Sequence, residues 1–93
     1  MKKAELKATL IDIAKSYSEN YDIYDDSIII SFKNNIELRY TYDKDLIVNT
    51  INNETTKYSQ SHGFNAKAIE EISVNEYNNL VIKGRNFLSI IVI

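Results

Sequence analysis

His62 is the only histidine of the chain, and Ser59 and Ser61 stand just before it. A hydroxyl beside an imidazole is the start of nucleophilic catalysis, but no acid at a defined spacing would orient this ring. A histidine just ahead of a helix-ending glycine, here Gly63, is accounted for by the helix dipole. The acids of YDIYDD, Asp22, Asp25 and Asp26, could ligate a hard cation. Their loop lacks the glycine and terminal glutamate of a calcium hand, so a solvated acidic loop is expected. With Gly63 and Gly84 as the only glycines, no glycine-rich phosphate cradle can be built. A catalytic carboxylate pair would need a concave pocket, which so small a chain offers little room for. The expectation is a protein that is not an enzyme and holds no cofactor and no metal.

More informative is the mixture of tyrosine and acid. Tyr17, Glu19, Tyr21, Asp22, Tyr24, Asp25 and Asp26 follow one another with no basic residue among them, and Tyr42, Asp43 and Asp45 form a second group. Tyrosine is over-represented at interface hot spots, and massed carboxylates steer toward basic partners. The candidate partner-binding residues are therefore Tyr21, Asp22, Tyr24, Asp25, Asp26, Tyr42, Asp43 and Asp45. Core-facing tyrosines on a solvated loop are the bland alternative, with Tyr17 assigned to the core.

The bulk numbers agree. Ninety-three residues make a single domain, 1–93, whose core must be modest. A net charge of −2 and only two arginines, Arg39 and Arg85, disfavour direct nucleic-acid binding. Lys2, Lys3, Lys7 and Lys15 are offset by Glu5 and Asp12. No run is long enough to span a membrane, and MKKAELKATLIDIAKSY interleaves acids where a signal peptide is continuously apolar. The absence of cysteine fits a reducing compartment, so the expected location is the cytoplasm. Without a secretory signal, the sequon Asn53-Glu54-Thr55 is taken as chance.

The elements that position these residues can be read from periodicity. Leu6, Leu10, Ile13 and Tyr17 recur at helical spacing over residues 3–20, with Glu5, Asp12, Ser16 and Glu19 opposite. A hairpin follows. In SIIISF, Ile28, Ile30 and Phe32 share a face, as do Ile36, Leu38, Tyr40 and Tyr42 in IELRYTY. Directly opposed residues must share a face, which selects a three-residue loop, Lys33-Asn34-Asn35, with Asn35 left-handed. Asp26 then falls opposite Tyr42, bringing the two acidic groups together.

Over residues 44–62 the two-residue alternation fails. Leu46, Ile47, Thr50, Ile51, Thr55 and Tyr58 instead make a helical stripe, with Asp43 or Asp45 as cap and Gly63-Phe64 as terminator. The tail reads as a meander of AIEEISV, NLVIK and FLSIIVI with three-residue loops. Val74 then opposes Leu80, Ile72 opposes Ile82, Glu71 opposes Lys83, Ile82 opposes Leu88 and Leu80 opposes Ile90. A competing reading has Asn65 cap a short helix, with Phe64 and Ile69 as its staple.

The predicted architecture is α+β, a two-layer αββαβββ arrangement with two helices on one face of a mainly antiparallel five-stranded sheet. Leu88, Ile90 and Val92 would point inward. Val81, Phe87, Ser89, Ile91 and Ile93 would be left outward as a self-association surface, the simplest assembly being a homodimer through the C-terminal strand. The functional expectation is a small protein that binds another protein bearing a basic surface. In its most concrete form it is a phage or mobile-element inhibitor, anti-CRISPR-like in class, that occupies a nucleic-acid groove. The alternative is a self-associating structural or assembly protein.

Overall fold

One helix and two antiparallel sheets account for the fold, an α+β arrangement. The structure is a computed structural model that describes residues 1–52 and 57–93, with 57–59 as backbone only. The sequon at Asn53 and the Thr55 and Tyr58 positions of the expected helical stripe lie outside the described residues and side chains.

Helix α1 (Lys3–Tyr17) buries Leu6, Leu10, Ile13 and Ala14, a spacing that keeps one stripe on the core. It ends where Ser18 turns extended and its hydroxyl donates to the Ala14 carbonyl at 2.5 Å. Tyr17, expected in the core, is 42 % exposed: it is the last residue of α1, and the buried stripe ends at Ile13 and Ala14.

The first sheet is a meander of β1 (Asn20–Ile23), β2 (Ser27–Ser31), β3 (Ile36–Thr41), β4 (Asp45–Asn52) and β5 (Lys57–Asn65). The β2–β3 register is the expected one: Ile28 opposes Tyr40, Ile30 opposes Leu38, and Phe32 N–H donates to the Ile36 carbonyl. Asn35 closes the loop at φ 60°. The other positive-φ residues among those described are Asp43 and Asn78, both in turns, so Asn and Asp supply these left-handed positions in a chain nearly without glycine.

The helix expected over residues 44–62 is not found among the described residues. The described residues of this stretch, 45–52 and 57–62, belong instead to the β4–β5 hairpin, with Leu46 opposite Phe64 and Val48 opposite His62. Gly63 is a strand residue facing Ile47, and Asp43 and Asp45 belong to a turn and a strand rather than a helix cap. Alternation was obscured for two reasons. Asn49 is polar yet buried, and a register shift between Thr50 and Ile51 exchanges the faces midway. The predicted two-helix layer over a single sheet is corrected accordingly.

The second sheet, β6 (Ile69–Val74), β7 (Asn79–Gly84) and β8 (Leu88–Val92), follows one 3-10 turn at Ala66–Ala68, where the Asn65 side chain accepts from the Lys67 N–H. Both readings of this stretch were thus partly right. The β6–β7 register matches expectation, with Ile72 opposite Ile82, Val74 opposite Leu80 and Glu71 opposite Lys83.

The β7–β8 register does not match. Leu80 opposes Ile91, Ile82 opposes Ser89, and Gly84 N–H donates to the Phe87 carbonyl, leaving Arg85-Asn86 as a two-residue loop. A slip of one residue sends every side chain to the other face. Phe87, Ile91 and Ile93 therefore lean on the core, whereas Leu88, Ile90 and Val92 are 60 %, 58 % and 63 % exposed. Gly84 sets this phase. A Cβ there would meet the Phe87 ring and stand 2.6 Å from the Ala68 carbonyl oxygen, so the ring turns inward only over a glycine.

Buried residues of α1, of one face of the first sheet and of the second sheet meet in one cluster, including Leu10, Ile30, Leu38, Leu46, Ile69 and Leu80. Each such side chain contributes about 1.5–3 kcal/mol by burial. The outer face of the β2–β3 hairpin is less solvated than expected: Glu37 and Asn49 are both buried there. Asn49 Nδ2 donates to Glu37 Oε1 at 3.3 Å, Ser61 Oγ donates to Asn49 Oδ1 at 2.5 Å, and Arg39 Nε donates to Glu37 Oε1 at 2.5 Å. Asn49→Ala removes two hydrogen bonds from this buried chain and should lower unfolding free energy by about 1–3 kcal/mol. Denaturant titration with an unchanged slope would show it, and a loss below about 0.5 kcal/mol would contradict the network.

Candidate functional site

β1 carries the acidic group in a form the sequence did not reveal. It is an edge strand, Asn20 opposite Ser31 through Ile23 opposite Ile28, and all four of its residues are exposed. Its polar side chains and short length concealed it. Alternation places Tyr21 and Ile23 on the face that carries Ile30 and Ile28, and Asp22 on the reverse beside Ile29. A tight turn, Tyr24 N–H donating to the Ser27 carbonyl at 2.8 Å, presents Asp25 and Asp26 at its tip. Asp26 Oδ1 accepts from the Ser27 hydroxyl at 3.0 Å. Tyr21, Asp22, Tyr24, Asp25 and Asp26 are thus all exposed along the β1 edge and its turn, Tyr21 and Asp22 on opposite faces of the strand, and Tyr17 at the end of α1 is a further exposed tyrosine.

The second group comes to the same end of the sheet, as the hairpin register requires. Tyr42 N–H donates to the Asp26 carbonyl at 3.0 Å, and the Tyr42 hydroxyl donates to the Tyr24 carbonyl at 3.2 Å. Its electrostatics differ. Lys3 Nζ lies 3.4 Å from Asp43, and Lys7 Nζ lies 4.9 Å from the centre of the half-buried Tyr42 ring. Asp45 is half-buried on β4 between Thr41 and Asn65. Two helix lysines therefore offset the Tyr42–Asp45 part. The uncompensated field originates at β1, where neither Asp22 nor Asp25 has an ion pair among the described residues.

Tyr40 lies beneath this end, its ring 5.4 Å from that of Tyr42. Burial pushes its phenol above the usual value of 10.0, against a smaller downward pull from a backbone hydrogen bond at Asp43. With the folded value above the unfolded one, the stability contributed by the protonated phenol is whole below pH 10 and is lost as pH rises through the folded value. Unfolding followed on the alkaline side should show the native chain losing stability faster than Tyr40→Phe. Parallel curves would contradict the assignment.

His62 does not end a helix. It lies on β5, opposite Val48, and stacks on Phe64 with centroids 4.8 Å apart. Ser61 points to the opposite face and donates to Asn49, so serine and imidazole are not brought together. A cleft of about 480 Å³ opens beside His62, lined by Ile36, Val48, Thr50, Gln60 and Ile91. No acid lines it. Among the described residues no group of three or more His, Asp or Glu is placed to hold a metal ion, and no helix is long and apolar enough to cross a membrane.

Sequence reasoning missed the exposed β8 face of Leu88, Ile90 and Val92. The available signal was Gly84, which can sit under an aromatic ring as no other residue can. No protein-family model matches the chain, no curated protein matches it, and no solved structure matches its fold.

Proposed function

We propose that this chain is a non-catalytic binding protein that docks the β1 edge and its turn onto a basic surface of another protein, in the manner of an inhibitor that occupies a nucleic-acid groove. Phage and mobile-element inhibitors, anti-CRISPR proteins among them, form the functional class this reading points to. One observation carries it: Tyr21, Asp22, Tyr24, Asp25 and Asp26 are exposed together, and no basic residue occurs between Lys15 and Lys33. Aromatic side chains supply contact area at low entropic cost, while the carboxylates take the places that phosphates would fill.

The reading is tested by passing a bacterial lysate over the immobilised chain and eluting in steps of salt. The expected captured proteins bind duplex DNA and leave the column at moderate salt, because their grooves are cationic and their contacts screened. Capture confined to proteins without affinity for nucleic acid, or retained through high salt, would overturn it.

A further inference from the structure

The observation that carries an inference beyond the acidic edge is a coincidence of two phases in β8. Gly84 N–H donates to the Phe87 carbonyl, and Ile93 N–H to the Asn78 carbonyl at 3.5 Å, so Phe87, Ser89, Ile91 and Ile93 hydrogen-bond inward to β7. The backbone groups of Leu88, Ile90 and Val92 therefore point to the open edge of the sheet. These are the three residues whose aliphatic side chains are exposed, and Val81 on β7 extends the patch beside Ile90. Unpaired backbone and uncovered aliphatic surface coincide.

We propose that β8 pairs with β8 of a second copy, antiparallel about a two-fold axis at Ile90, joining two three-stranded sheets into one. In that register Leu88 meets Val92 of the second copy and Ile90 meets its own counterpart. All three positions have outward backbone groups, so each pair can exchange both bonds. On the outer face aliphatic meets aliphatic. The rows beyond continue as Val81 on both sides of the central pair, and as Lys83 at one end of a row whose other end is Asn79 of the second copy, so no like charges meet. The other free edges lack this self-complementarity. β1 carries Asp22, β5 carries His62, and β6 carries Glu70 and Glu71. β8 has no charge, proline or glycine, the devices by which edges are kept apart. This surface is opposite in face to Phe87, Ile91 and Ile93, and it is independent of the acidic edge.

Sedimentation equilibrium of the full chain over a wide concentration range tests the pairing, together with amide hydrogen exchange. The native chain should reach twice the monomer mass, with exchange at Leu88, Ile90 and Val92 slowing as concentration rises. Ile90→Lys sets two ammonium groups face to face on the axis and should raise the dissociation constant by on the order of 100-fold. Leu88→Glu and Val92→Lys should each weaken the dimer, and combining them should restore it, because each introduced carboxylate then meets the other copy's introduced ammonium. A monomer at every concentration would overturn the proposal. So would a dimer whose three amides exchange at concentration-independent rates, the result expected of face packing, or a double variant no tighter than its singles.

Discussion

Reversing Asp22, Asp25 and Asp26 to lysine is expected to weaken binding to a basic-groove partner by on the order of 100-fold while leaving the fold intact. A carboxylate about 4 Å from a cation gains roughly 1 kcal/mol even at the dielectric of water. Reversal converts that gain into a similar repulsion, so three sites sum to about 6 kcal/mol before screening. A Debye length near 8 Å at physiological salt removes about half of this, and the remaining ~3 kcal/mol is about two decades of affinity. Stability should change little, since all three residues are exposed and the turn that carries Asp25 and Asp26 has no positive-φ residue. Thermal denaturation by circular dichroism controls for folding, and titration calorimetry against a captured partner reads affinity. Equal affinity in the reversed and native chains would remove β1 from the interface.

Gly84→Ala should be the most damaging single-methyl change in the second sheet. The added carbon would overlap the Phe87 ring and press on the Ala68 carbonyl oxygen at 2.6 Å, and a backbone oxygen cannot step aside as a flexible side-chain end can. Overpacking of this kind costs up to about 3 kcal/mol, equivalent to a fall in Tm of roughly 15 °C at this chain length. The cost should shrink in a Phe87→Ala background, because the ring that the methyl meets is gone. Additive losses would mean that Phe87 does not lie over Gly84, and the β7–β8 register would have to be redrawn.

The sequence made a register legible wherever its two parities differed in kind. Ile28, Ile30 and Phe32 faced Ile36, Leu38 and Tyr40 because, apart from Ile29, the interleaved positions Ser31, Glu37 and Arg39 are polar. The pairing of Glu71 with Lys83 followed in the same way. In FLSIIVI both parities are aliphatic or aromatic apart from Ser89, which in fact lies on the inward parity, so patterning could not choose the face, and the choice was made by a glycine on the neighbouring strand. Residues 44–62 misled for the opposite reason. A buried asparagine held by Glu37 and Ser61, followed by a register shift, imitated the spacing of a helix. Of the candidate site, the meeting of Asp26 with Tyr42 was legible from the hairpin arithmetic. The compensation of Asp43 by Lys3 was not, because no local pattern shows where an N-terminal helix comes to rest against a turn.

The most direct measurement of the central claim is a competition. A captured partner is loaded with fluorescently labelled duplex DNA, and the chain is added while anisotropy is followed. The account predicts that the DNA is displaced stoichiometrically by the native chain and retained when Asp22, Asp25 and Asp26 are lysine. A ternary complex in which partner, DNA and native chain coexist would contradict it.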